Sequence, residues 1–200
     1  MNKSAIIGLS IAGFFIVLLI VLFSWGKNSY NNMVAAEENV TQTWSAVESQ
    51  YKRRADLIPN LVEVVKGYAK HENKTLTEVV EARAKATQLT VDPNNTTPEK
   101  LAKYQAAQSQ VGSSLNRLLM SVEAYPDLKA NQNFLTLQTQ LEGTENRITT
   151  ERGRYIIAIK EYNILIRRFP SNIIANMTGF EKKANFEGEA GIENAPQIKM

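Results

Sequence analysis

The sequence predicts an all-α protein: an N-terminal transmembrane helix followed by an elongated antiparallel four-helix bundle. Three observations carry that prediction. No residue from Ser4 to Gly26 is charged. Beyond Lys27 the apolar residues recur in steps of three and four, the period of an amphipathic helix. Nowhere do they alternate with the two-residue period of a strand. The expected divisions are a membrane anchor over 1–27, a helical body over 28–170 and a partly irregular tail over 171–200.

The anchor comes first. Residues 4–26 form an uncharged run of 23 residues, which as a helix rises about 35 Å, enough to cross ~30 Å of hydrocarbon. A cleaved signal peptide has a shorter apolar core, ~7 to 15 residues, and a small-residue cleavage site, which this run lacks. Lys3 and Lys27 bracket the span, and Trp25 and Tyr30 stand where amphipathic aromatics mark a membrane interface. Lys3 with the terminal amine outweighs Lys27, which predicts a single-pass cell-membrane protein with a cytoplasmic N-terminus and an extracytoplasmic body. Ser4, Gly8 and Ala12 make a small-residue stripe along which two such helices could approach, a pointer to a homo-oligomer.

The amphipathic helices follow in order. Tyr30, Val34, Val40, Trp44, Val47 and Tyr51 form the first stripe, with Glu37 in a slot that a simple core would fill with leucine. No Gly or Pro interrupts 27–58, so the anchor is expected to run into this helix with a bend around Gly26. Pro59 lacks an amide hydrogen and would clash with the Ala55 carbonyl inside a helix. It therefore predicts a break or kink, with Asp56 as N-cap of a second helix and Pro59 in its first turn. That helix carries Leu61, Val65, Tyr68, Glu72, Leu76, Val79 and Arg83 and is expected to reach Leu89; Gly67 inside it costs ~1 kcal/mol relative to alanine, which a close helix contact could offset. Val91 to Thr97 is a loop, and Thr97-Pro98-Glu99 starts a third helix, since proline suits the first helical position and an acid the first turn. Its stripe runs from Leu101 to Val122 and ends at Tyr125-Pro126-Asp127. A fourth stripe, Phe134 to Ile166, holds to Phe169-Pro170 and spans roughly 50 Å. The tail should begin with a short helix and then either wrap loosely along the body or stay disordered.

Charge and composition exclude several functions. Of 23 bases, Lys3 and Lys27 flank the anchor, so the remaining 21 against 20 acids leave a net charge of +1 beyond it. That is no footprint for nucleic acid. The chain has no cysteine and a single histidine, His71. Disulfides, thiolate catalysis and cysteine-linked lipid are excluded, and zinc sites and Ser/His triads have too few groups. Di-metal bundles need Glu-x-x-His motifs on two helices, which are missing. Phosphate-binding glycine loops and nucleophile elbows are missing too. The expectation is no enzyme, no cofactor and no metal.

Glu37, Glu72, Arg83, Gln108, Glu145 and Arg152 lie in register with the apolar stripes. Buried charge is costly unless paired, so these residues fix helix register through ion pairs, reach water at the stripe edges, or line a polar pocket. Lys52-Arg53-Arg54 lies roughly 40 Å beyond the anchor by helical rise. Arg53 and Arg54 are expected at the surface, pairing with Asp56 and Glu48, the alternative being a partner-binding patch. The sequons at Asn39, Asn73 and Asn95 read as chance, two of them falling within helices.

Several motifs together resemble the LemA family of small membrane-anchored helical proteins. They include Tyr30-Asn31 with Met33-Val34, Trp44 with Val47, and the run from Arg53 through Asp56, Pro59 and Asn60 to Val62. Val65 to Ala69 with His71-Glu72, Ala82-Arg83-Ala84, Glu151-Arg152, Glu161-Tyr162-Asn163, Phe169-Pro170-Ser171-Asn172 and Gly179-Phe180 continue the likeness. The resemblance implies an N-terminal membrane helix, an antiparallel four-helix bundle and no established active site. Relatives with a lipoprotein cysteine differ from this chain, which has Ser24-Trp25-Gly26 there, so anchoring is expected through the helix alone. The C-terminal Pro196 to Met200 also lacks an aromatic ending.

The function expected is a non-enzymatic, membrane-anchored scaffold that self-associates. Its partners would be the lipid bilayer through residues 4–26, further copies of itself and other membrane proteins. The alternative is a membrane-tethered sensor in which Glu72, Arg83, Glu145 and Arg152 line a small-ligand site. Arg53, Arg54, Asp56, Pro59, Asn60, Glu72, Arg83, Phe169 and Pro170 are the candidate interaction or structural residues.

Overall fold

The apolar segment and the first amphipathic stripe form a single helix. The computed structural model describes residues 3–68 and 73–186, with side chains from Ile11 onward. Among these residues there are six α-helices and no strand: α1 (Lys3–Tyr68), α2 (Asn73–Thr87), α3 (Pro98–Ser121), α4 (Pro126–Lys129), α5 (Gln132–Arg167) and α6 (Ser171–Thr178). The large apolar side chains between Ile11 and Phe23 are exposed, so from Ile11 this part of α1 is an apolar rod without cover from the described residues, and by length and composition the helix can cross a membrane. Of the small-residue stripe, only the Ala12 side chain lies within the described region, and it is exposed.

The break expected at Asp56 and Pro59 does not occur. α1 continues through Pro59 to Tyr68, Asp56 is an exposed residue inside it rather than an N-cap, and the helix change falls between Tyr68 and Asn73. Proline inside a helix costs about 3 kcal/mol. Against that, Ile58, Leu61, Val62 and Val65 are all buried, and each such side chain contributes about 1.5 to 3 kcal/mol. The tertiary gain exceeds the local penalty. The Ala55 carbonyl, which Pro59 cannot serve, accepts instead from Arg83 Nε of α2 at 2.7 Å. Among the described residues, nothing lies within 4 Å of an added Cβ on Gly67, so none of them makes a close helix contact that would offset its cost.

Other starts follow local rules. Thr97 caps α3, accepting from the Lys100 amide at 3.3 Å with Pro98 in the first turn. The Glu99 carboxyl is held below the usual range by its own backbone amide and the Thr97 hydroxyl. Asn131 caps α5 by accepting from the Asn133 and Phe134 amides.

α1 packs chiefly on α5 and α2 on α3. Arg54 meets Glu145 and Trp44 meets Tyr155, so α1 and α5 run antiparallel, each step forward on one matched by a step back on the other. The core falls into two clusters. One, away from the apolar rod, gathers Ile58, Leu61, Val79, Leu118, Leu128 and Phe134. The other, nearer the rod, is aromatic and holds Trp44, Tyr51, Tyr104, Tyr155, Tyr162 and Phe186. The tail is not loose as far as Phe186: after α6 it climbs beside α1 and α5. Tyr162 Oη donates to the Glu181 carbonyl at 3.1 Å, and Asn163 bonds both the amide and the carbonyl of Lys183.

Candidate functional site: a polar layer between two apolar clusters

α1 crosses from one cluster to the other between Tyr51 and Ile58, α3 between Tyr104 and Val111, and α5 between Leu141 and Ile148. The residues at those three crossings are Arg54, Gln108 and Glu145. They meet. Arg54 Nη1 donates to Glu145 Oε2 at 2.9 Å, and Nη2 donates to Gln108 Oε1 at 2.8 Å and to the Gln108 carbonyl at 2.9 Å. The guanidinium also lies 5.2 Å from the centre of the Tyr51 ring, a cation–π contact. An added Cβ on Gly112 would stand 3.7 Å from Arg54 Nη1, so the helix passes close to the guanidinium there.

The expected surface position of Arg54 is therefore overturned: it is 2% exposed, while neighbouring Arg53 is at the surface. The signal was present in the sequence. Carried past Tyr51, the alternation of four and three through Val40, Trp44 and Val47 lands on Arg54, Ile58, Leu61 and Val65. A helix start at Asp56 would end the stripe just before Arg54, the residue that the continuous helix buries.

A buried guanidinium demands partners, because it carries five N–H donors and cannot lose its charge. Glu145 answers from a half-exposed position, its side chain 53% accessible, so that pair is partly screened by water. The bonds to Gln108 are buried. Burial chiefly, with Tyr51 and Glu48 adding, pushes the adjacent Tyr104 phenol well above its ordinary value. Arginine, glutamine and a half-hydrated carboxylate hold no nucleophile paired with a base. What the layer can do is tie three helices at one level and set their register.

Clefts border the layer, two of them lined by both Arg54 and Gln108. One, of about 620 Å³, is bounded by Tyr51, Arg54, Arg83, Tyr104 and Gln108. The other, of about 560 Å³, has Arg54, Gln108, Asn116, Glu145 and Arg152 in its walls. Arg83 is thus near the layer, but its Nε serves the Ala55 carbonyl.

Glu37 belongs elsewhere. Lys183 is 7% exposed, and its Nζ donates to Glu37 Oε1 at 2.7 Å and Asn94 Oδ1 at 2.9 Å, 4.9 Å from the centre of the Tyr162 ring. Lys183 lies in a tail without periodicity, and no sequence signal marks it. Arg152 lies over the Phe186 ring at 4.9 Å, joining α5 to the tail. Asn60 and Pro59 are exposed, as are Phe169 and Pro170, which a cis peptide joins at the end of α5. Glu72 and His71 lie outside the described residues.

The family model described as LemA family matches residues 43–200, a stretch that holds Arg54, Arg83, Gln108, Glu145 and Lys183. Protein LemA of Metamycoplasma hominis is 25% identical over 174 residues, covering 87% of this chain and 76% of that protein. Magnetosome protein MamQ 2 of Paramagnetospirillum magneticum is 27% identical over 175 residues, 79% of this chain and 64% of that protein. Magnetosome protein MamQ of Magnetospirillum gryphiswaldense is 25% identical over 174 residues, covering 78% and 64%. The chain therefore spans less than two thirds of the length of these MamQ proteins.

Proposed function

This chain belongs to the LemA family, and on that premise we propose that it is a membrane-anchored helical scaffold that catalyses no reaction. It would self-associate or hold other membrane proteins. The observation that carries this reading is the continuity of α1. One helix of 66 residues leaves the apolar rod and enters the body without a joint, as its passage through Pro59 illustrates. At helical rise it is about 100 Å long, and Arg54 stands roughly 40 Å beyond Gly26. A stiff stalk with helices tied along it presents a fixed surface at a fixed height. The polar layer supports the same reading, since its groups lock register rather than perform proton or acyl transfer. Detergent extraction of the full-length protein followed by mass measurement of intact complexes tests it. The expected result is a mass above the monomer, from further copies or a co-purifying partner. A lone monomer across several mild detergents refutes the scaffold.

A second reading rests on the clefts beside Arg54. A small ligand wedged between α1 and α3 would shift the helix that continues into the membrane, making the protein a tethered sensor. A ligand that binds only the folded state raises its melting temperature by mass action. A reproducible, ligand-specific shift across a metabolite panel, abolished by Arg54→Met, would favour this reading over the scaffold.

A further inference from the structure

The outward side of α6 carries no charge: Ile173 and Met177 are exposed there beside the polar Asn176 and Thr178, an amphipathic strip where a water-facing helix usually carries charged residues. Ile173 and Met177, one turn apart, are 48% and 78% exposed, and Phe169, four residues earlier, is 80% exposed. The opposite face is seated: Ser171 and Ala175 are buried, and Ile174 packs into the aromatic cluster. The height of α6 on the molecule explains what the bare face meets. Ile174 Cδ1 lies 3.6 Å from the position of an added Cβ on Gly26, where the uncharged run of α1 ends. The Phe180 ring, just beyond α6, lies 5.7 Å from Tyr30. Carrying the antiparallel register of Trp44 and Tyr155 along both helices places Arg167, the last residue of α5, level with Asn32, about 9 Å of helical rise from Gly26, and Phe169 follows two residues later. Lys27, Arg167 and Arg168 are exposed beside it.

We propose that α6 is a second membrane contact, with Phe169, Ile173 and Met177 lying in the headgroup boundary of the leaflet from which α1 emerges. Lys27, Arg167 and Arg168 would meet anionic headgroups there. The proposal rests on reading residues 4–26 as a bilayer span. A helix parallel to the surface with its apolar side sunk ~5 to 10 Å is a stable arrangement at an interface. The charge pattern favours lipid over a second copy, since two such faces pressed together would bring their cations into proximity. The result is a two-point attachment that sets the tilt of the body as well as its height.

The chain has no cysteine, so single cysteines can carry an environment-sensitive fluorophore in the full-length protein. The variants are Met177→Cys, Leu19→Cys in the apolar run and Thr139→Cys on the exposed surface of α5, in vesicles of phosphatidylcholine with phosphatidylglycerol. The expected result is several-fold weaker iodide quenching at 177 than at 139, together with quenching at 177 by a lipid carrying a shallow spin label. Iodide access at 177 equal to that at 139, with the label at 19 quenched by lipid, overturns the α6 contact and leaves the anchor standing. A label at 19 that lipid quenchers do not reach overturns the anchor and the α6 contact together. Shielding of 177 from iodide without lipid quenching means a protein covers the face, and also overturns the proposal.

Discussion

Pro59 and Arg83 should be energetically coupled although they belong to different helices. Inside α1, Pro59 has no amide hydrogen for the Ala55 carbonyl, and Arg83 Nε occupies that acceptor at 2.7 Å. Arg83→Met keeps most of the aliphatic stem and removes the donor. Leaving a buried acceptor unsatisfied costs about 1 to 3 kcal/mol. Ala55 is only half-buried, so water reaches part of it and the expected loss is ~1 to 2 kcal/mol. Pro59→Ala restores the helical donor and should itself stabilise by ~1 to 2 kcal/mol, the helix penalty of proline less its restraint on the unfolded chain. In that background Arg83→Met should cost below ~1 kcal/mol, giving a coupling energy of about 1 kcal/mol. The assay is denaturant unfolding of the full-length protein in mild detergent, followed by the buried Trp44 with Trp25→Phe as the common background. Midpoints should move without a change in slope. An equal loss for Arg83→Met with proline or alanine at 59 would refute the compensation argument.

The polar layer makes the arginine pair unequal. Arg54→Ala should cost ~2 to 4 kcal/mol through lost buried hydrogen bonds, whereas exposed Arg53→Ala should stay within ~0.5 kcal/mol; equal effects in the same unfolding assay would contradict the layer. Arg54→Lys should remain destabilised, because one ammonium does not reproduce the fork that reaches both Gln108 and Glu145. Asp56→Ala should shift stability by less than ~0.5 kcal/mol, since Asp56 is exposed within α1; a loss of ~1 kcal/mol or more would restore it as a cap. Alkaline pH should weaken the fold. Burial first, then the Glu37 and Glu181 carboxylates, pushes the Tyr162 phenol up to about 12, and burial raises Tyr155 as well. A raised folded-state value means this stability is whole below ~10, where the unfolded phenol titrates, and is lost as pH rises through the folded value. Tyr162→Phe should flatten the decline, and an unchanged pH profile would count against it. For orientation, Asn95→Cys places a thiol on the loop beside Asn94 without disturbing the Asn94 bond to Lys183. Labelling by an impermeant reagent in intact cells is expected for an extracytoplasmic body, and labelling only after lysis would overturn that placement.

The helical periods, the uncharged run and the starts at Thr97 and near Phe134 were legible in the sequence by itself, because each depends on residues a few positions apart. Gln108 and Glu145 stood out for the same reason, as polar residues in apolar stripes. The fate of Pro59 was not legible. Its penalty is local, but the burial of Ile58, Leu61, Val62 and Val65 and the donor from Arg83 come from other helices. A break at Asp56 puts Arg54 at the surface, whereas its spacing from Tyr51 and Ile58 belongs to the core that the continuous helix buries. Lys183 depended wholly on tertiary structure, since its partners Glu37 and Asn94 stand 146 and 89 residues away and no repeat links them. Local spacing therefore determined which residues form helices and which faces are apolar. Long-range packing decided where α1 ends and which buried charges meet, because the free energy that outweighs a local rule comes from side chains distant in the chain.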